Sequence, residues 1–494
     1  MSTDQGSNIA QKSVSGSAYS IAASAVTLTL GFLRATIMAR LLLPEHFGVT
    51  TLALFYANLA GQLRTFGIDN AFVHRKEANE RDHATYFTMR LALILISMAV
   101  LVMMAPLLGR IHDDVELLTP VLFAYVIVSF LKGVNSIQMT ILSKRLAFRQ
   151  MSLTDVASSI TMTVVGPWMA WQGYGVWSII GAQFSGLFVR ALSIWILYRS
   201  WRPGFGWERQ TAKDYWRYGI RMWMGDNISF LLDRFDDWWI GTFLGSNPLG
   251  LYSRAYEFAG YSRRVVANPI LSVFFPTYAI LQDDRTRLSR AFFRTTSLIV
   301  RGGALFSLLF IFSAPEFIRL FLGARWLPML FTFQLMIVYT LLDPLLVAAS
   351  NLLAATGYPA IIARTRIVQM FLFLPAVFIL GAAYGINGVA IAANGMVLVG
   401  TVLLFSYSRR VVDYSPRALW FWPLVALAFS AAIILALGSV WNEMNDLTSL
   451  IVKAMTIVVL YAGLLWLAGR EQLLIGWGMI RALIPLDFSR RSSH

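Results

Sequence analysis

The sequence predicts an all-α integral membrane protein of about fourteen transmembrane helices. Three observations predict it. Hydrophobic residues make up 57% of the 494 residues and charged residues only 14%, with a mean hydropathy of +0.62. A soluble domain carries about 25% charged residues. Apolar runs of roughly 20 residues, the length that crosses a hydrocarbon layer about 30 Å thick, recur along the whole chain. Between these runs, basic residues are dense in alternate loops and sparse in the others. The composition excludes a soluble enzyme, a disordered chain and a fibrous one.

The spans follow in order. Residues 17–40 form the first, after a polar start from Met1 to Ser17 that reads as no cleavable signal. Pro44 separates it from the second, 46–66, by a hairpin so short that the two helices must be antiparallel. Spans 86–108 and 118–142 flank the acidic pair Asp113-Asp114. Spans 153–173 and 176–198 meet at Gly173. Spans 216–244 and 249–276 carry most of the intramembrane charge, and spans 297–322 and 327–352 are apolar. Spans 364–383 and 386–408 meet at Gly385, and 418–438 and 448–469 complete the set. No loop is long enough to hold a soluble catalytic domain.

Net charge is +15. In a soluble chain that would suggest nucleic acid; here it reads as cations gathered in cytoplasmic loops, with no nucleic-acid partner. Arg75 and Arg81, Lys144 to Arg149, Arg199 to Arg217, Arg285 to Arg294, Arg364 and Arg366, and Arg409 to Arg417 all fall on the side of the N-terminus. Arg40, Arg110, Arg319 and Arg325 fall on the other side, with the acidic stretch Glu443 to Asp446. Both termini are therefore expected in the cytoplasm. A minority of these cations attract anionic membrane lipids.

An internal repeat divides the chain. Gly175 aligns with Gly388, Leu142 with Leu353 and Gly48 with Gly250, at offsets of 213, 211 and 202 residues. The expected lobes are residues 1–205 (spans one to six) and 206–415 (spans seven to twelve), parallel and pseudo-symmetric. Residues 416–494 add two further spans and a cytoplasmic tail.

Charges inside the spans mark the candidate site, because each costs about 2.5–3.5 kcal/mol at mid-membrane unless water, a partner or a substrate meets it. Span seven holds Asp226, Asp233 and Asp237 within about 20° of one helical stripe. Span eight holds Arg254, Glu257, Arg263 and Arg264, and span one holds Arg34. Arg34, Arg254, Arg263 and Arg264 suit an anionic group such as a diphosphate, since guanidinium presents a planar fork of donors. Asp226, Asp233, Asp237 and Glu257 are either counter-charges or proton or sodium sites that couple transport to a gradient; Arg254 with Glu257 at i,i+3 is the simplest neutralising pair. Arg40 and Arg64, near span ends, read as snorkelling. Asp343-Pro344 reads as a kink, and Trp201, Trp207, Trp420 and Trp422 as interfacial anchors.

Cysteine is absent, and the five histidines show no metal-ligand spacing. No nucleotide-binding or hydrolytic motif can be assembled, so no cofactor and no enzyme activity are expected.

The stretch from Ala39 to Gly48, ARLLLPEHFG, and the stretch from Ile240 to Tyr256 resemble the opening hairpins of the two halves of polysaccharide-transport proteins. These are the Wzx-type oligosaccharide flippases of the multidrug/oligosaccharidyl-lipid/polysaccharide exporter (MOP) superfamily, and the colanic-acid and succinoglycan exporters among them look closest. The resemblance implies a MATE-like fold of two six-helix lobes plus two helices, working by alternating access. It implies a bacterial inner-membrane protein that moves undecaprenyl-diphosphate-linked oligosaccharide repeat units to the periplasmic leaflet, for exopolysaccharide or lipopolysaccharide biosynthesis. It also implies contact with the polysaccharide polymerase and co-polymerase machinery, and it carries cavity arginines onto Arg34 and Arg254. Two alternatives stand beside it: a multidrug or organic-cation exporter of the same superfamily, favoured by the acidic stripe, and a membrane polysaccharide polymerase or ligase, which lacks the catalytic loop it would need.

Overall fold

Nearly every residue that the computed structural model describes is helical; it describes residues 3–75, 79–112, 115–198 and 201–483. Asp113 and Asp114 lie outside these residues. The helices are α1 (Thr3–Leu41), α2 (Pro44–Thr65), α3 (Ile68–His74), α4 (Glu80–Ile111), α5 (Leu118–Lys144), α6 (Phe148–Trp171), α7 (Val176–Leu192), α8 (Arg209–Phe243), α9 (Ser246–Ser262), α10 (Asn268–Ile280), α11 (Arg285–Phe312), α12 (Ala314–Phe317), α13 (Leu330–Ala355), α14 (Pro359–Ser408), α15 (Pro416–Ala436), α16 (Gly438–Glu443) and α17 (Asp446–Leu483). Among the described residues nine helices are long and apolar enough to cross a membrane, and α14 is one of them. The chain is a multi-pass membrane protein. Helix α8 misses that apolarity because its middle carries Asp233, Arg234, Asp236 and Asp237.

Local chemistry sets the helix starts. Pro44, Pro359 and Pro416 occupy first-turn positions, where the missing N–H costs nothing. Asn79 accepts from the Asp82 amide at 2.8 Å while Asp82 accepts from the Asn79 amide at 2.9 Å, which closes a reciprocal cap on α4. Ser415 and Asp284 cap α15 and α11 by a single bond each, accepting from the Ala418 and Arg287 amides.

The chain packs as two compact units, Met1–Gly250 and Leu251–His494. In the first, α1 packs on α6 and α6 on α7; α2 packs on α4, α5 and α8. The linker after α7 turns back along α4. There the Trp201 indole donates to Glu80 at 2.9 Å, and Gln138 donates to the Trp201 carbonyl at 3.0 Å. Trp201 is thus a buried strut and not the interfacial anchor that its loop position suggested; Trp207, 65% exposed, keeps that character. In the second unit, α13 packs on α11 and α14, and α11 meets α15 and α17. Lys453 of α17 reaches Glu316 at 2.7 Å, and both are buried.

Loop contacts respect the expected alternation of sides. Arg285 pairs with Asp413 at 2.8 Å, and both belong to basic loops. Arg319 pairs with Asp446 at 2.8 Å, and both belong to the opposite loops. Lys144 donates to the carbonyls of Phe72 and Arg75.

Two of the repeat positions acquire a physical meaning. Gly175 (φ 52°, ψ −125°) and Gly385 (φ 59°, ψ −139°) share one backbone conformation, each immediately before a helix. This conformation breaks α14 at Gly385, and it pairs Gly175 with Gly385, 210 residues on. The sequence match had paired Gly175 with Gly388, so the register is corrected by three residues. Gly48 and Gly250 then touch reciprocally. A Cβ on Gly48 would meet the Ser246 backbone, and a Cβ on Gly250 would meet the Pro44 backbone. Each glycine is the fifth residue of its helix, and a Cβ on it would meet the first residue of the other helix.

Substitution checks this contact. Gly48→Ala should destabilise the protein by about 1–3 kcal/mol, the usual result of inserting a methyl into filled space, and lower its melting temperature in detergent. Gly463→Ala, where nothing lies within 4 Å, should leave it unchanged.

Candidate functional site

Ionisable side chains within the helices fall into two groups, one in each unit. In the first unit Arg90 of α4 is fully buried. Its Nε lies 2.7 Å from Asp69 Oδ1 of α3, its Nη2 donates to Ser136 of α5 at 2.7 Å, and its Nη1 donates to the Arg64 carbonyl of α2. Tyr86 donates to the same Asp69 oxygen at 2.7 Å. A single guanidinium therefore ties four helices together, and its donors are directed at protein.

Arg64 behaves differently from the snorkelling side chain expected at a span end. It is half-buried and donates to the Ser129 carbonyl of α5 at 3.2 Å. Lys132, three residues further along α5, is exposed, and its charged neighbours are Arg64 and Arg234. Arg234 of α8 pairs with Asp237 at 3.0 Å. Beside them Tyr56 meets His112 Nε2 at 2.8 Å and accepts from the Trp238 indole at 3.2 Å. Trp238 therefore has a packing role against α2. Phe55 stacks on Phe230, and Phe66, just after α2, stacks on Trp216 and Trp223, which fixes α2 against α8.

Helix α8 is unbroken, so the angular register of its carboxylates holds. Their surroundings differ: Asp237 is 6% exposed and engaged by Arg234, Asp233 is exposed, and the side chain of Asp226 lies outside the described residues. Asp233 and Asp237 do not share one environment. Arg34 sits half-buried on α1.

In the second unit Arg254 pairs with Glu257 on α9, both half-buried. The helix then widens over Arg263–Ala267 into a π-helical turn, a distortion frequent at functional sites. From that turn Arg263 reaches Asp343 of α13 at 2.6 Å. The residue before it, Ser262, meets Thr340 at 3.0 Å, and Tyr256 packs edge-on against Tyr339. Asp343, read from sequence as a kink, is the counter-ion of Arg263. Ser262, Arg263, Thr340 and Pro344 border a small pocket with Ser307 and Gly303 of α11. Arg264 points away, exposed, its guanidinium 5.0 Å from the Tyr261 ring centroid.

Sequence reasoning overlooked Lys132, Arg90 and the Lys453–Glu316 pair. Lys132 had a signal, a lone cation in the middle of an apolar run from Leu118 to Lys144. Arg90 had little, because it stands close to a helix end, as a lipid-anchoring residue would.

A family model described as "Polysaccharide biosynthesis protein" matches residues 37–331. The lipopolysaccharide biosynthesis protein WzxC of Escherichia coli (strain K12) is 24% identical over 453 residues, covering 87% of this chain and 89% of its own. The succinoglycan biosynthesis transport protein ExoT of Rhizobium meliloti (strain 1021) is 24% identical over 311 residues, 62% of each chain. Among solved structures, the lipid II flippase MurJ in an inward closed conformation superposes with a TM-score of 0.74 at 15% identity, covering 92% of this chain and 99% of that one. An inward-facing multidrug resistance MATE family transporter of the MOP superfamily superposes with a TM-score of 0.65 at 17% identity, covering 79% and 97%. These likenesses show the fold.

The Arg90 junction makes a stability prediction. Arg90→Leu strands Asp69 and should cost about 3–5 kcal/mol, the usual result of breaking a buried pair. Thermal unfolding in detergent measures it. The double variant Arg90→Leu/Asp69→Leu should recover part of the loss, and that coupling separates the ion pair from simple packing.

Proposed function

Because the chain belongs to the polysaccharide biosynthesis protein family, we propose that it is a flippase for undecaprenyl-diphosphate-linked oligosaccharide repeat units. It moves them from the cytoplasmic to the periplasmic leaflet of a bacterial inner membrane, for exopolysaccharide or lipopolysaccharide assembly. Fourteen spans form two pseudo-symmetric six-helix lobes and two added helices, with both termini in the cytoplasm. The observation that carries the reading is the half-buried placement of arginines within the helices, Arg34 on α1 and Arg254 on α9. A guanidinium kept at that depth serves an anion.

The mechanism is charge compensation during a rocking cycle. Arg34 of the first unit and Arg254 and Arg263 of the second each supply positive charge toward the diphosphate, whose charge is about −2, and so lower the barrier that bare hydrocarbon sets against it. The prenyl chain stays in lipid while the glycan occupies hydrated space. Arg254 and Arg263 start from carboxylate partners, Glu257 and Asp343. An arriving diphosphate competes with those carboxylates, so binding and rearrangement are linked. Asp226, Asp233 and Asp237 act as counter-charges or as proton or sodium sites. The product passes to the polymerase machinery on the far side.

The carboxylates of α8 favour a second reading, export of an organic cation. Reconstitution separates the two. In proteoliposomes holding a diphosphate-linked glycan lipid in one leaflet, the protein should accelerate leaflet exchange, and Arg34→Ala should slow it about tenfold or more, the worth of one charge-assisted contact. Accelerated efflux of a cationic dye with no lipid exchange would favour the exporter.

A further inference from the structure

We propose that the corner between α14 and α15 binds an anionic phospholipid of the surrounding bilayer. Its phosphate meets Arg409, Arg410 and Arg417, and its acyl chains lie along exposed apolar stripes of the two helices. None of the arginines assigned to the lipid-linked substrate takes part.

The corner, residues 409–417, joins two helices long and apolar enough to span a membrane, so it stands at headgroup level. Its shape is fixed by α11. Arg285 pairs with Asp413 at 2.8 Å and donates to the Arg410 carbonyl at 3.4 Å. The Ser289 hydroxyl accepts from the Asp413 amide at 2.9 Å, and Phe292 packs against Phe405 and Tyr414. Arg285 thereby occupies the only carboxylate in the sequence of the corner. Arg409, Arg410 and Arg417 are exposed, and among the described residues no carboxylate lies within ion-pair distance of them. Aromatic rings hold them instead. Their guanidinium carbons lie 5.9 Å from the Tyr414 centroid, 5.1 Å from that of Tyr407 and 5.6 Å from that of Phe421, respectively. A guanidinium laid on a ring keeps its in-plane N–H donors available to a phosphate.

The apolar stripes say which anion fits. On α14, Leu398 and Val402 lie within about 20° of Arg409 around the helix axis. On α15, Leu424 and Leu435 lie within about 20° of Arg417, and Phe421 is one turn from it. All five apolar residues are exposed. Each stripe therefore ends at an arginine that no carboxylate holds, the same order as acyl chain and phosphate in a phospholipid. A soluble acidic partner would meet the arginines and leave the stripes bare. Nor does Arg417 serve the fold: the first turn of α15 has no acidic residue, and a cation there opposes the helix macrodipole.

The chain has no native cysteine, so a bimane label on Val402→Cys reports on this corner in the full-length protein in phosphatidylcholine nanodiscs. The quenchers are phosphatidylglycerol brominated near the headgroup end of its chains and phosphatidylcholine brominated at the same carbons. Half-quenching should need about tenfold less phosphatidylglycerol, because each cation near an anionic headgroup is worth about fivefold. Raising the salt concentration should shrink that preference. A label on Ile379→Cys, an exposed apolar position of α14 before the break at Gly385, should show none. The triple variant Arg409→Gln/Arg410→Gln/Arg417→Gln should lose the preference at Val402. Arg417→Gln alone should reduce it several-fold while Arg417→Lys keeps it, a comparison that holds even if the triple variant does not fold. Equal quenching by the two lipids in the parent overturns the proposal, as does a preference that Arg417→Gln leaves unchanged. A prenyl diphosphate that displaces brominated phosphatidylglycerol at a small fraction of its amount would assign the corner to the substrate lipid and overturn it as well.

Discussion

A charge inside a hydrocarbon layer has nothing to solvate it, and this constraint organises the molecule. Each ionised side chain in a spanning helix needs a counter-ion, a set of protein hydrogen bonds, or water. The chain uses the first two in different places. Arg90 consumes its donors on Asp69, Ser136 and a carbonyl, and it fixes α2, α3, α4 and α5 against one another. Lys453 and Glu316 do the same for α17. These pairs are closed, and their role is to hold helices in place.

Arg34, Lys132, Arg254 and Arg263 stand apart from those closed pairs by being partly or fully accessible. An accessible charge in a spanning helix needs open, polar surroundings. The widened turn at Arg263 is the one local departure from regular geometry within that set.

Much of the architecture was legible because lipid leaves the backbone few options: apolar runs must be helices, and basic loops alternate. The hairpin glycines were legible too, although the register of one was off by three residues. Only backbone conformation reveals that Gly385, rather than Gly388, plays the part of Gly175. The site was less legible. Depth along a helix can be read from sequence, and helical angle can be as well; which neighbour faces a side chain cannot. Arg64 therefore looked like an anchor and proved to lean on α5, while Trp201 looked interfacial and proved buried. The acidic stripe of α8 kept its angle, yet Asp233 and Asp237 ended in different surroundings, because burial depends on what packs against the stripe.

The central claim is that accessible mid-helix charges face water and not acyl chains. A chain without native cysteine allows a direct measurement in intact membranes. A single cysteine replaces Lys132, and its reaction rate with a charged, membrane-impermeant thiol reagent is compared with that of a cysteine at Phe371, a 72% exposed apolar position on α14. Hydration at Lys132 predicts modification many times faster there than at Phe371. Equal, negligible rates at both positions would put Lys132 against lipid and contradict the account.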